Sequence, residues 1–214
     1  NVGGPAVLLS ELINDLPAKE FHHTLITGTC QSNEIDYLDS HPLDSEVIYI
    51  DEIKRSVLPL ADIKSFFKLI KVLRQINPDI VHTHTSKAGV LGRLAAKVAA
   101  PKAKVIHTFH GHVLYGYFSP FKSSIIRIIE KALGLITDDA VAITNPVKND
   151  LIKAGIAANS RWHVIHPAID PNSTKSARLD NDIFRVVWVG RMAEIKNPLL
   201  ALQAYQEFVR FFTG

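Results

Sequence analysis

The chain is poor in cysteine and has no long apolar run. A single Cys30 among 214 residues excludes an internal disulfide and leaves no thiolate cluster for a metal, which fits a reducing compartment. No apolar stretch approaches the roughly 18 residues that a membrane span needs, and no signal-peptide pattern is visible. Internal repeats and low-complexity tracts are missing too. What is there is an ordinary globular composition, 47% hydrophobic and 21% charged, in a chain long enough for one good core and part of a second.

The net charge of +3 hides an asymmetry. Residues 1–59 carry 10 acidic and 3 basic side chains, residues 60–104 carry 9 basic and 2 acidic, and the remainder is +3. Blocks of opposite sign imply either an internal electrostatic match or a basic face with an outside partner.

Hydrophobic patterning predicts alternating strands and helices. Strand-like runs are His23–Thr27, Glu46–Ile50, Asp79–Thr83, Lys104–Phe109, Asp139–Thr144, Trp162–His166 and Phe184–Val189. Helical patterns cover 5–16, 60–76, 86–99, 120–135, 146–154 and 198–212, and residues 32–44 read as a loop with one helical turn. This alternation predicts an α/β fold, a Rossmann-like parallel sheet flanked by helices with right-handed crossovers. The polar, turn-rich stretch 170–183 is the linker candidate. Asn1-Val2-Gly3-Gly4-Pro5 reads as a strand-to-helix turn, so a first strand is expected to precede it. One βα unit after the linker cannot bury both faces and reads as the start of a second, incomplete domain.

The most informative segment is His107-Thr108-Phe109-His110-Gly111-His112. It continues the β-branched run Lys104-Val105-Ile106 and ends at the carboxyl edge of a strand, where open α/β sheets place ligands. Strand alternation sends His107 and Phe109 to one face, Thr108 and His110 to the other. His82 and His84, at i and i+2, share a face; His84 is expected to line a cleft, and His82 to do the same or pack internally. The His-x-His pairs also raise a metal site. Tyr115, Tyr117 and Phe118 would stack on sugar rings, touch lipid chains or anchor their loop. Lys64, Lys68, Lys71 and Arg74 on an amphipathic 60–76 helix fit an anionic membrane surface or an ordinary solvated face. No nucleic-acid recognition motif accompanies them.

Six motifs then agree in order: Gly3-Gly4 opening a helix; Asp79–His84; His107–His112; Asp139–Thr144; Val164–Asp170; and Val189-Gly190-Arg191-Met192-Ala193-Glu194-Ile195-Lys196. Together they resemble the retaining glycosyltransferases of family 4, with the GT-B fold, from Gly3 to about Tyr205. The resemblance implies an N-terminal acceptor domain at 1–169, a linker at 170–183, and the opening of a nucleotide-sugar domain at 184–214. It implies that His110 is catalytic, contacting the transferred sugar. It also implies that Gly3, Gly4, Arg191 and Lys196 hold the donor phosphates, and that His84, His112, Tyr115 and Tyr117 line the acceptor cleft. No metal is implied, and no cofactor beyond a UDP- or GDP-linked sugar donor. The acceptor would be a glycan or lipid-linked molecule of cell-envelope polysaccharide synthesis, handled in the cytoplasm or on the inner face of the plasma membrane.

Two departures stand out. Pro167-Ala168 replaces the usual Asn-Gly, and no Glu-x7-Glu motif occurs in the chain. The fragment alone is therefore expected to be inactive. A non-catalytic acceptor- or membrane-binding module and a metal-dependent hydrolase remain the alternatives. The non-hydrolysing sugar-nucleotide epimerases share the architecture, but their motifs fit less well.

Overall fold

The computed structural model describes residues 3–17, 19–31, 34–54, 56–111, 119–158, 160–167, 186–190, 192 and 196–212. Six strands and seven helices alternate: α1 (Gly4–Asp15), β1 (Thr24–Thr27), α2 (Tyr37–Ser40), β2 (Glu46–Tyr49), α3 (Pro59–Ile76), β3 (Ile80–His84), α4 (Ser86–Ala99), β4 (Lys104–Phe109), α5 (Pro120–Gly134), β5 (Asp139–Ala142), α6 (Asn145–Lys153), β6 (Arg161–Val164) and α7 (Pro198–Phe212). Every strand pairing is parallel, as the alternation predicts. The strands fall into two sheets, β1-β2 and β3-β4-β5-β6.

Element ends follow local chemistry. Proline opens α3, α5 and α6, where its missing N–H costs nothing. Thr144 caps α6, its Oγ1 accepting from the Val147 N–H at 3.4 Å. That cap stops β5 at Ala142 rather than at the expected Thr144. Asn77, left-handed at φ 47, closes α3 before Pro78. The expected helical turn within 32–44 is α2, capped by Asp36 on the Leu38 N–H. The expected strand Phe184–Val189 lies partly outside the described residues; its described part, 186–189, is exposed and forms no strand. A strand exists only by pairing, and no ladder among the described residues reaches it.

Helices α4, on β3 and β4, and α6, on β5 and β6, cover the four-stranded sheet, with α3 and α5 packed against α4. Leu69, Ile70 and Leu73 of α3 and Ala95 and Ala96 of α4 meet Val105 of β4. A second cluster joins Phe109, Ala140, Leu151 and Ile156, with Phe109 and Trp162 stacked at 5.7 Å. A Cβ at Gly89 would sit 2.5 Å from His107 Cε1, so only glycine lets α4 lie this close to β4. The fully buried Arg93 ties α4 to α5. Its guanidinium donates to Glu130 Oε2 at 2.7 Å, to Gly89 O at 2.9 Å and to Thr137 Oγ1 at 3.4 Å.

Candidate functional site

Parallel register brings the histidines together. His84 lies opposite Thr108 in the β3–β4 ladder, so His84, the last residue of β3, is beside His110, one residue past β4. Their rings meet through Nδ1 of His84 and Nε2 of His110 at 2.9 Å. His82, two residues back on the same face, places Nε2 2.8 Å from Thr108 Oγ1, and its ring centroid is 4.2 Å from that of His84. The alternation predicted for β4 holds. His107 and Phe109 turn to the helix side, where His107 Nδ1 lies 2.8 Å from Thr83 Oγ1. Thr108 and His110 turn to the other side. His82 does not pack internally: it is exposed on the edge strand.

The backbone around this group is unusual. Gly111 follows His110 at φ +132, a conformation open to glycine and hostile to side chains. Thr85 follows His84 at φ 63, ψ 162. A β-branched residue there stores strain of order 1–3 kcal/mol, and such strain gathers at functional sites. No sequence signal points to Thr85, because a strained φ is set by the turn from β3 into α4.

Electrostatics keep the imidazoles neutral. Burial, then the neighbouring His82 and His110, push His84 down to about 2. His82 is pushed to about 4, by desolvation and then by His110; His84 meets the repulsion of His82 as well. Burial lowers His110 as well. The Nε2 of His84 is buried without a hydrogen-bond partner. An orphaned buried N–H is rarer than an orphaned acceptor, which assigns the His84 proton to Nδ1. His84 then donates to His110 Nε2, and His110 carries its own proton on Nδ1, ready to donate to a ligand. No group of three or more His, Cys, Asp or Glu among the described residues is arranged to hold a metal ion.

The other expected site residues divide. Gly3 is the cap of α1, its carbonyl accepting from the Ala6 and Val7 N–H groups. A Cβ at Gly3 or Gly4 would meet nothing closer than 4.0 Å. Lys196 is exposed and directly precedes Asn197, whose Oδ1 caps α7 on the Leu200 N–H at 3.1 Å. No hydrogen bond among the described residues joins Gly3, Gly4 or Lys196 to the histidine group. Arg191, His112, Tyr115 and Tyr117, with the linker 170–183, lie outside the described residues.

Residues 2–173 match the family model for Glycosyltransferase Family 4. The chain belongs to glycosyltransferase family 4. This family 4 chain is 30% identical over 206 residues to the UDP-Gal:alpha-D-GlcNAc-diphosphoundecaprenol alpha-1,3-galactosyltransferase of Escherichia coli, covering 88% of this chain and 50% of that one. It is 26% identical over 179 residues to the capsular polysaccharide biosynthesis glycosyltransferase CapM of Staphylococcus aureus, covering 78% and 47%. The chain thus spans about half the length of these curated relatives. In fold it is similar to a crystal structure described as a UDP-N-acetylglucosamine 2-epimerase from Listeria monocytogenes. The TM-score is 0.55 at 21% identity, over 71% of this chain and 40% of that one. The Rossmann-like α/β architecture expected from the sequence is the one found.

Proposed function

We infer that this family 4 chain belongs to a retaining glycosyltransferase that moves a sugar from a UDP- or GDP-linked donor to a glycan or lipid-linked acceptor in cell-envelope polysaccharide synthesis. Residues 1–169 are the acceptor-side domain, 170–183 the linker, and 184–214 the opening of the donor-side domain. The observation that carries this reading is the pair of imidazoles, His84 and His110, hydrogen-bonded at 2.9 Å at the carboxyl ends of β3 and β4. The printed names of the relatives, a galactosyltransferase acting on a diphosphoundecaprenol-linked sugar and a capsular polysaccharide glycosyltransferase, support the substrate class. Work on such an acceptor fits a protein of the cytoplasm or of the inner face of the plasma membrane.

In the transfer, the bond from the anomeric carbon to the diphosphate oxygen breaks, a bond to the acceptor oxygen forms, and the proton of the acceptor hydroxyl passes to the departing diphosphate. The sugar passes through an oxocarbenium-like state while negative charge grows on the diphosphate. Arg191, Lys196 and the helix N-termini at Gly3-Gly4 and Asn197 supply positive charge to the diphosphate, with no metal required. The bare glycines suit this task, since no internal packing demands them. His110, neutral and protonated on Nδ1, donates to a sugar hydroxyl. Its neutrality matters: a fixed cation beside the electron-poor sugar would oppose the transition state. His84 holds that tautomer and is a positioning residue. His112, Tyr115 and Tyr117 complete the acceptor cleft with His84.

The test is calorimetric titration of the full-length protein with UDP and GDP, in wild type and Arg191→Ala. One nucleotide binds, and Arg191→Ala weakens it about tenfold or more, the cost of a lost charge-assisted hydrogen bond. Binding of neither nucleotide would overturn the reading in favour of a non-catalytic module.

A further inference from the structure

We propose that the amino edge of the four-stranded sheet carries a binding site for a compact, multiply charged oxyanion, of which phosphate and diphosphate are the biological examples. The site goes beyond the transfer chemistry and is read without turnover. It lies at the far end of the strands from the imidazoles. Lys104 opens β4 and Phe109 ends it, a separation of about 16 Å at the usual rise of a strand.

A groove of about 300 Å³ opens at that edge, lined by Lys97, Lys102, Lys104, Asp138 and Arg161 around Pro101 and Ala103. Its size is that of a small ligand site. The topology assembles it, because parallel strands bring all their amino ends to one edge. Lys97 stands in the last turn of α4 and Lys102 in the connection to β4. Lys104 is the first residue of β4, Asp138 directly precedes β5, and Arg161 opens β6. Backbone bonds fix the wall. Asp138 accepts from the Val105 N–H at Oδ2, 2.7 Å away, donates its own N–H to Val105 O at 2.8 Å, and accepts from the Arg161 N–H at 3.1 Å.

The charges around the groove do not balance. Lys104 and Arg161 share one carboxylate, that of the buried Asp139, at 2.8 and 3.3 Å, and His163 reaches the same carboxylate at 2.8 Å. Lys104 and His163 hold that carboxyl down to about 2, which marks the positive field of the edge. The half-buried Lys97 and the exposed Lys102 have no carboxylate partner among the described residues. Four cations therefore face two carboxylates and the roughly half negative charge of the α4 C-terminus. A compact dianion removes the excess. The lysines donate from rotatable ammonium groups, and the planar fork of Arg161 suits two oxygens of a phosphate. A single carboxylate would leave part of the excess standing, and an acidic peptide spreads its charges over separate side chains, too far apart for a groove this small.

Calorimetric titration of the full-length protein with inorganic pyrophosphate tests this. Every sample carries Arg191→Ala, which removes the anion site proposed for the donor. Lys97→Gln, Lys102→Gln and, as a cation outside the groove, Lys64→Gln are added singly. None of the three lysines has an ion pair to lose, and circular dichroism checks that the fold persists. The Arg191→Ala protein binds pyrophosphate and high salt weakens the binding. Lys97→Gln and Lys102→Gln each weaken it about tenfold, as expected for one lost charge-assisted hydrogen bond, and Lys64→Gln leaves it unchanged. Absence of pyrophosphate binding overturns the site, as does affinity untouched by Lys97→Gln and Lys102→Gln or an equal loss from Lys64→Gln. Binding to vesicles containing phosphatidic acid without binding to pyrophosphate overturns it too, because the phosphate would then be a lipid headgroup. No nucleotide enters the experiment, so its failure is separate from failure of the transferase reading.

Discussion

The neutral imidazoles make folding stability depend on pH in a window that can be isolated. His84 is held down to about 2 in the folded chain, whereas a free imidazole titrates near 6.5. Below that value the unfolded chain takes up a proton that the folded chain refuses, so stability falls as pH falls. Between about pH 7 and pH 5 this costs about 2 kcal/mol from His84 alone, a large part of a typical domain's stability. The buried His107, also held well below its ordinary value by burial and by Arg93, acts in the same direction. Asp139 does not confuse the window. Lys104 and His163 hold its carboxyl down to about 2, so its contribution is complete above the usual carboxylate range and is lost only as pH falls toward 2. Urea unfolding across that pH range, in wild type and His84→Gln, reads the effect. Glutamine keeps an amide beside His110 but cannot titrate, so its stability loss from neutral to mildly acidic pH is smaller than that of wild type by about 2 kcal/mol. Equal losses in the two proteins would refute the claim that His84 is held neutral.

Other expected outcomes follow from single contacts. Arg93→Leu leaves Glu130 buried without its partner and lowers unfolding stability by about 3–5 kcal/mol, read by denaturant melts; a loss under 1 kcal/mol would mean that Glu130 finds water or protonates at little cost. Thr85→Gly relieves the strained φ of 63 and raises stability by about 1 kcal/mol after the added chain entropy of glycine is counted; a drop in melting temperature would show that Thr85 is not strained.

The element order was readable in the sequence because parallel strands buried on one face by helices are short, β-branched and separated by helical periodicity. The ends were harder. Strand β3 runs Ile80–His84 rather than Asp79–Thr83, and β6 runs Arg161–Val164 rather than Trp162–His166, because strand limits are set by the neighbour's register. The shared face of His82 and His84 followed from two-residue periodicity. The hydrogen bond from His84 to His110 did not, since it depends on His84 pairing with Thr108 across the ladder. The Arg93–Glu130 pair spans 37 positions and left only a faint sign, one arginine amid the small residues of α4 and one acid in α5. The acidic and basic blocks were visible as numbers, but only the fold set Lys97, Lys102 and Lys104 of the basic block beside Arg161.

The most direct test of the proposed chemistry is sugar transfer by the full-length protein, with the anomeric configuration of the product followed by proton NMR. Wild type is expected to return the configuration of the donor. His110→Ala is expected to lower kcat by about 10²–10³ while nucleotide affinity holds, the loss typical of one preorganised donor. An inverted product, or a His110→Ala variant with unchanged kcat, would contradict the assignment of His110 to the transferred sugar of a retaining transferase.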